Sequence, residues 1–136
     1  MNREDLFVAE TEKSPAQFAS DFARVLDRHG FVINNRESMD MGRTFRVHGA
    51  EVADGFDLHM IQVCKPEKAA KSLGANPERA VLMPKFVMAF SRGGKTQLRF
   101  LSYNESDIAA VVDDRVFPGS LAESFQKIRE MIAEAQ

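Results

Sequence analysis

The only cysteine of the chain, Cys64, stands directly before Lys65-Pro66, with Lys68 and Lys71 following and Lys85 further on. The sequence around it changes from an extended pattern to a short helical one that begins at Pro66. A helix start presents unpaired backbone N–H groups and the positive end of the helix dipole. A thiolate is stabilised at such a place, and Lys65 and Lys68 would add to the effect. On that reading Cys64 is a nucleophile or a redox-sensing thiol. The same N–H groups, closed in by Lys65, Lys68 and Lys85, would instead hold a small anion such as a phosphate or carboxylate. A third reading makes Cys64 an inert, buried, small hydrophobe.

Two histidines are candidates to assist. His59 lies on an expected strand between Leu58 and Met60 and would be the base for Cys64 if the strand and the following turn bring the two together. His48 lies in a glycine-flanked basic segment with Arg36, Arg43 and Arg46, so Arg46 and His48 join the lysines as candidate anion ligands. His29, at the end of a helix, is expected to serve the last carbonyls. The seven methionines raise the question of a soft metal. Met39, Met41, His48, His59, Met60 and Cys64 are suitable ligand types. No compact spacing gathers them, and Met83 and Met88 look like core, so no metal and no cofactor is expected. Arg92-Gly93-Gly94-Lys95 is a hairpin turn and lacks the pattern of a phosphate loop.

The positioning elements are legible in outline. Leu6–Thr11 is expected to be a strand. Ser14-Pro15-Ala16-Gln17 has the cap, the proline and the glutamine of a helix start. Phe18, Phe22, Val25 and Leu26 give that helix one apolar stripe, and Gly30 ends it. Phe31–Ile33 resumes as strand. Residues 34–54 are expected to be mostly turns and loop, with an edge strand at Thr44–Val47. Phe56–Val63 is a strand, Pro66–Leu73 a short helix closed by Gly74, and Asn76-Pro77-Glu78 a turn. Val81–Phe90 is a strand in which Pro84 demands an edge position, a bulge or a strand start just after it. Thr96–Tyr103 returns antiparallel to it, with either Leu98 and Phe100 or Leu101 and Tyr103 inward. Ser106–Val112 is a short helical turn. Ser120–Glu123 is a second capping box, opening a helix with Leu121, Phe125, Ile128 and Ile132 inward.

Two long amphipathic helices, a short helix and a mixed or antiparallel sheet predict an α+β two-layer sandwich with the helices on one face. The 136 residues fit a single domain, residues 1–136. Ile61, Val63, Val87 and Ala89, or their neighbours one position away, would lie on the other sheet face. Apolar residues there would need a partner subunit, and a homodimer is expected. The net charge is −2, with one tyrosine and no tryptophan, so no nucleic acid is expected. No apolar run is long enough for a membrane span. The charged segment Met1–Glu12 is unlike a signal peptide, so the expected compartment is the cytoplasm.

From Ser14 onward the chain resembles the bacterial and archaeal family known as domain of unknown function 302. The matching features are Arg28-His29-Gly30-Phe31, Cys64-Lys65-Pro66-Glu67-Lys68-Ala69-Ala70, Leu73, Leu82-Met83-Pro84, and Phe117-Pro118-Gly119 with the final helix. The resemblance implies a TATA-binding-protein-like α+β fold and a small dimeric domain. It implies no reaction and no DNA binding. The family's usual motifs are cysteine-asparagine-proline and leucine-proline-cysteine. Here Lys65 replaces the asparagine and Lys85 stands where the second cysteine would be, so no paired-thiol or metal site carries over.

Three function classes follow from these readings. The first is a small dimeric domain of unestablished function, more a binding module than an enzyme, that takes a small anionic ligand near Pro66. The second is a thiol-dependent enzyme or redox sensor using Cys64. The third is a structural or regulatory homodimer module.

Overall fold

Five antiparallel strands form one sheet in the order β1-β5-β4-β3-β2 in the computed structural model, which describes residues 1–136. The strands are β1 (Leu6–Thr11), β2 (Val32–Ile33), β3 (Leu58–Cys64), β4 (Phe86–Arg92) and β5 (Lys95–Leu101). The helices are α1 (Pro15–Arg28), α2 (Met41–Val47), α3 (Pro66–Ala75), α4 (Glu105–Val111) and α5 (Phe117–Ala135), with 3₁₀ turns at Arg3–Asp5 and Pro77–Leu82. The result is the expected two-layer α+β domain, and its sheet is purely antiparallel.

The core lies between the sheet and the two long helices. Strand alternation puts Ile61, Val63, Val87 and Ala89 under the helices at 0–2% exposure, with Leu98 and Phe100 beside them. Those first four therefore face α1 and α5 rather than the open side, and their neighbours take the open side. Helix α1 contributes Phe18 and Phe22, stacked at 5.2 Å between ring centroids. Helix α5 contributes Phe125, edge-on to Phe100 and Tyr103. Ser14 caps α1 by accepting the Gln17 N–H at 3.1 Å. Gly93 and Gly94, both at positive φ, make the β4–β5 hairpin where the sequence places it.

Several local expectations are corrected. Met41–Val47 is a helix, not loop and edge strand. Asp40 caps it by accepting the Arg43 N–H at 3.3 Å. Helix α3 runs through Gly74 to Ala75. Val81 and Leu82 belong to a 3₁₀ turn, and β4 starts only after Pro84, at Phe86. This relieves the conflict between that proline and the ladder. Helix α5 starts at Phe117, a turn before Ser120, with Asp114 accepting the Val116 and Phe117 N–H groups, both at 2.9 Å.

At the β2 edge the strand is only two residues long, and the Asn35 side chain continues its work. Its amide donates to the Met60 carbonyl and accepts the Gln62 N–H, both at 2.8 Å. The open sheet face carries a row of paired residues, Met60, Met88, Arg99 and Val8, across four strands. Around it lie Leu58, Phe86, Phe90, Leu6 and Leu101.

Candidate functional site

The β3–α3 junction follows from local chemistry. Lys65 precedes a proline and is held extended (φ −106°, ψ 93°), which ends the strand. Pro66 then occupies the first helical turn, where its missing N–H costs nothing. The chain turns back along the end of the sheet, and α3 lies opposite the start of α5. Between them is a cavity of about 320 Å³. Cys64, Lys65, Lys68 and Lys85 line it together. Lys85 arrives through strand pairing, since the Val63 N–H donates to the Lys85 carbonyl at 2.9 Å across β3 and β4.

Helix α3 meets the cavity along its flank, through Lys68, Ala69, Ser72 and Leu73. Pro66 and Glu67 do not line it. The cavity wall is thus a helix side and two strand ends, rather than the helix mouth that the sequence suggests. Phe31, Phe117 and Leu121 form apolar wall, while Asn34, Gln62 and Ser120 add neutral polar groups.

The electrostatics are one-sided. No aspartate or glutamate lines the cavity, and none of its three lysines makes an ion pair. Lys68 Nζ donates to Ser124 Oγ at 2.6 Å and to the Ser120 carbonyl at 3.3 Å. Lys85 Nζ donates to the Met83 carbonyl at 2.9 Å and lies 3.6 Å from the Met83 sulfur. Lys65 Nζ sits over the Phe31 ring, 5.4 Å from its centroid. An ammonium has three donors, so these neutral partners leave capacity for a ligand. Burial pushes the Lys85 ammonium down to about 8; the Cys64 sulfur, when ionised, opposes this, and the Lys68 charge adds to it. Burial also lowers Lys68, against the pull of Glu123. Cys64 is half-buried, neither sealed in the core nor fully exposed.

One side of the cavity is held by an ion pair that the sequence reading leaves out. Arg79 grips Asp114 with two bonds, Nε to Oδ2 at 2.7 Å and Nη2 to Oδ1 at 3.0 Å. Its third nitrogen reaches the Ser72 carbonyl at 3.2 Å and hydroxyl at 3.1 Å. Asp114 also accepts from Asn76 at 2.9 Å. The Arg79 guanidinium, helped by Asn76 and the Phe117 N–H, holds the Asp114 carboxyl far below the usual carboxylate range. The pair clamps the Pro77–Leu82 turn to α3 and to the start of α5.

The other candidates lie elsewhere. His59 points under the helices, with its side chain 8% exposed and Nδ1 3.7 Å from Asp57 Oδ1. Cys64 is five residues along β3, roughly 16 Å away and on the opposite face. His59 is therefore not the base for Cys64, and the odd separation of the two positions within one strand was a sequence signal against it. Arg46 and His48 are exposed on and after α2. That helix is anchored at the His59 end of β3 through the Asp40–His59 bridge. Neither reaches the lysines. Of the two serines that position Lys68, Ser120 enters the sequence reading only as a helix cap and Ser124 is absent from it. Their spacing of four on the flank of the Leu121–Phe125 stripe was the available signal.

No three histidine, cysteine or carboxylate side chains cluster as a metal would require. No helix is long and apolar enough to cross a membrane.

Comparison with known proteins agrees with this architecture. No curated protein sequence matches the chain. A crystal structure of an uncharacterized conserved DUF302 protein from Bacillus stearothermophilus superposes with a TM-score of 0.69. It covers 98% of this chain and 96% of the other at 14% identity, which is a likeness of fold. The family profile described as "Domain of unknown function DUF302" matches residues 7–135, nearly the whole of the sheet and both long helices, and the chain belongs to that family.

Proposed function

We propose that this protein binds a small anionic molecule, a carboxylate or phosphate compound, in the cavity between α3 and α5. The observation that carries this reading is the gathering of Lys65, Lys68 and Lys85 around a space with no acidic side chain. A cavity of about 320 Å³ is at the lower end of the range for small-ligand sites. None of the lysines has an ion-pair partner within the chain, and the apolar walls strengthen their attraction for an anion. The thiol reading is weaker, since neither His59 nor His48 reaches Cys64. Calorimetric titration with phosphate, oxalate and citrate tests the anion reading. At least one should bind at low salt, and the double replacement Lys68→Met, Lys85→Met should abolish that binding. Equal binding by the double variant refutes it.

A second reading rests on a different surface and is compatible with the first. The open sheet face presents Met60, Met88, Phe86 and Leu101 with Val8 at 58% exposure, and a second copy of the same face would cover them. A two-fold pairing of sheets buries such a face on both copies at once. Sedimentation of the wild-type chain at micromolar concentration should give a dimer, and a monomer across that range would refute the pairing.

A further inference from the structure

We infer that Lys85 is a covalent capture residue, forming a reversible imine with a ligand that carries both a carbonyl carbon and an anionic group, such as a 2-oxo acid. This rests on the anion site proposed above and names its ligand class. The three lysines of the cavity are held differently. Lys65 lies against the Phe31 ring, and Lys68 is tied by two oxygens of α5. Lys85 is the one whose nitrogen is fixed from behind by the backbone carbonyl of Met83, two residues away at the approach to β4. Its own carbonyl accepts the Val63 N–H at 2.9 Å, which ties the Lys85 backbone to β3 at the wall of the cavity that it lines.

Imine formation needs an unprotonated amine, and the surroundings favour one. Burial and the neighbouring Lys68 charge bring its ammonium down to about 8. A lysine beside a second cation in an apolar wall is a recognised way of activating an amine toward carbonyl compounds. Lys68 then has a use in the ligand complex, because its charge holds the anionic end while Lys85 takes the carbonyl. The step balances simply. The Lys85 ammonium gives a proton to solvent, and the nitrogen lone pair adds to the carbonyl carbon. The carbonyl oxygen then departs as water, leaving C=N in place of C=O. Cys64 lines the same space, but its addition to a carbonyl gives a hemithioacetal that hydride does not reduce.

Glyoxylate with sodium cyanoborohydride, at about pH 7.5, tests the inference on the full chain. Trapping adds one carboxymethyl group to the lysine that formed the imine, and peptide mapping locates it. Lys85 should be modified at least about tenfold faster than exposed Lys71 and Lys95. The gain in free amine, roughly a hundredfold, is partly offset by lower intrinsic nucleophilicity. Lys85→Arg, which keeps the charge, should remove the fast phase, and Lys68→Met should slow it. Modification of Lys85 no faster than Lys71 and Lys95, or a fast phase surviving in Lys85→Arg, overturns the inference. Oxalate, which has no reactive carbonyl, separates the two levels. If oxalate binds but no fast trapping occurs, the imine falls and the anion site stands. If neither occurs, both fall.

Discussion

Replacing Lys85 by methionine keeps most of the length and volume of the side chain while removing its charge. The interval between the ordinary 10.5 and about 8 measures how much the folded protein resists the ammonium. It is worth about 3 kcal/mol at 25 °C. Against this stands the bond to the Met83 carbonyl at 2.9 Å, whose loss costs about 1 kcal/mol. The Lys85→Met variant should therefore be more stable than the wild type by about 2 kcal/mol at neutral pH. The sign follows from proton binding. Folded Lys85 holds its proton less tightly than unfolded Lys85. The charge penalty is therefore complete below about pH 8 and fades as the pH rises toward 10.5, where the unfolded chain also releases its proton. Urea unfolding of both proteins at a series of pH values is the assay. With a slope of about 2 kcal/mol per molar urea, the variant's midpoint should lie about 1 M higher at pH 7 and approach or fall below the wild type's near pH 10.5. A variant less stable at pH 7, or a difference that stays flat from pH 8 to 10.5, would refute the placement of a partly desolvated ammonium beside Cys64.

Three further outcomes test separate parts of the molecule. Phe22→Ala, which empties a fully buried position stacked on Phe18, should cost about 3–5 kcal/mol in the same unfolding assay. Met88→Glu places a charge in the middle of the open sheet face; sedimentation should show a monomer while circular dichroism stays that of the wild type. Asp114→Asn should loosen the Pro77–Leu82 turn, seen as faster amide exchange there. The Asp114 carboxyl is depressed, so its contribution is present above 3.8 and lost as the pH falls far below that value. The variant should therefore lose stability at neutral pH and show a weaker dependence on acid.

What the sequence revealed depended on how far apart the interacting residues are. Helix α1 was readable because its cap, its proline, its apolar stripe and its terminal glycine all lie within one segment. Helix α2 was not, because Gly42, Thr44 and Val47 are poor helix formers and only the Asp40 cap argued for it. The Val81-Leu82-Met83 run looked like strand. It continues a 3₁₀ turn that opens at the Asn76 cap and Pro77 and is held by the bond from Arg79 to Asp114, 35 residues apart, a contact no local pattern encodes. The same distinction applies at the cavity. Cys64, Lys65 and Lys68 are sequence neighbours, and their association was evident. Lys85 joined them through the β3–β4 ladder, and Ser124 through the docking of α5, 56 residues from the lysine it holds.

The Asn35 side chain has a consequence for how copies of this protein can meet. By occupying the main-chain groups of Met60 and Gln62, it leaves that flank of β3 without the free donors and acceptors that a foreign strand would need as a template. Growth of an extended ribbon by lateral strand addition is blocked on this side at the cost of one amide. A second molecule approaching this flank of β3 meets a side-chain amide in place of an open ladder.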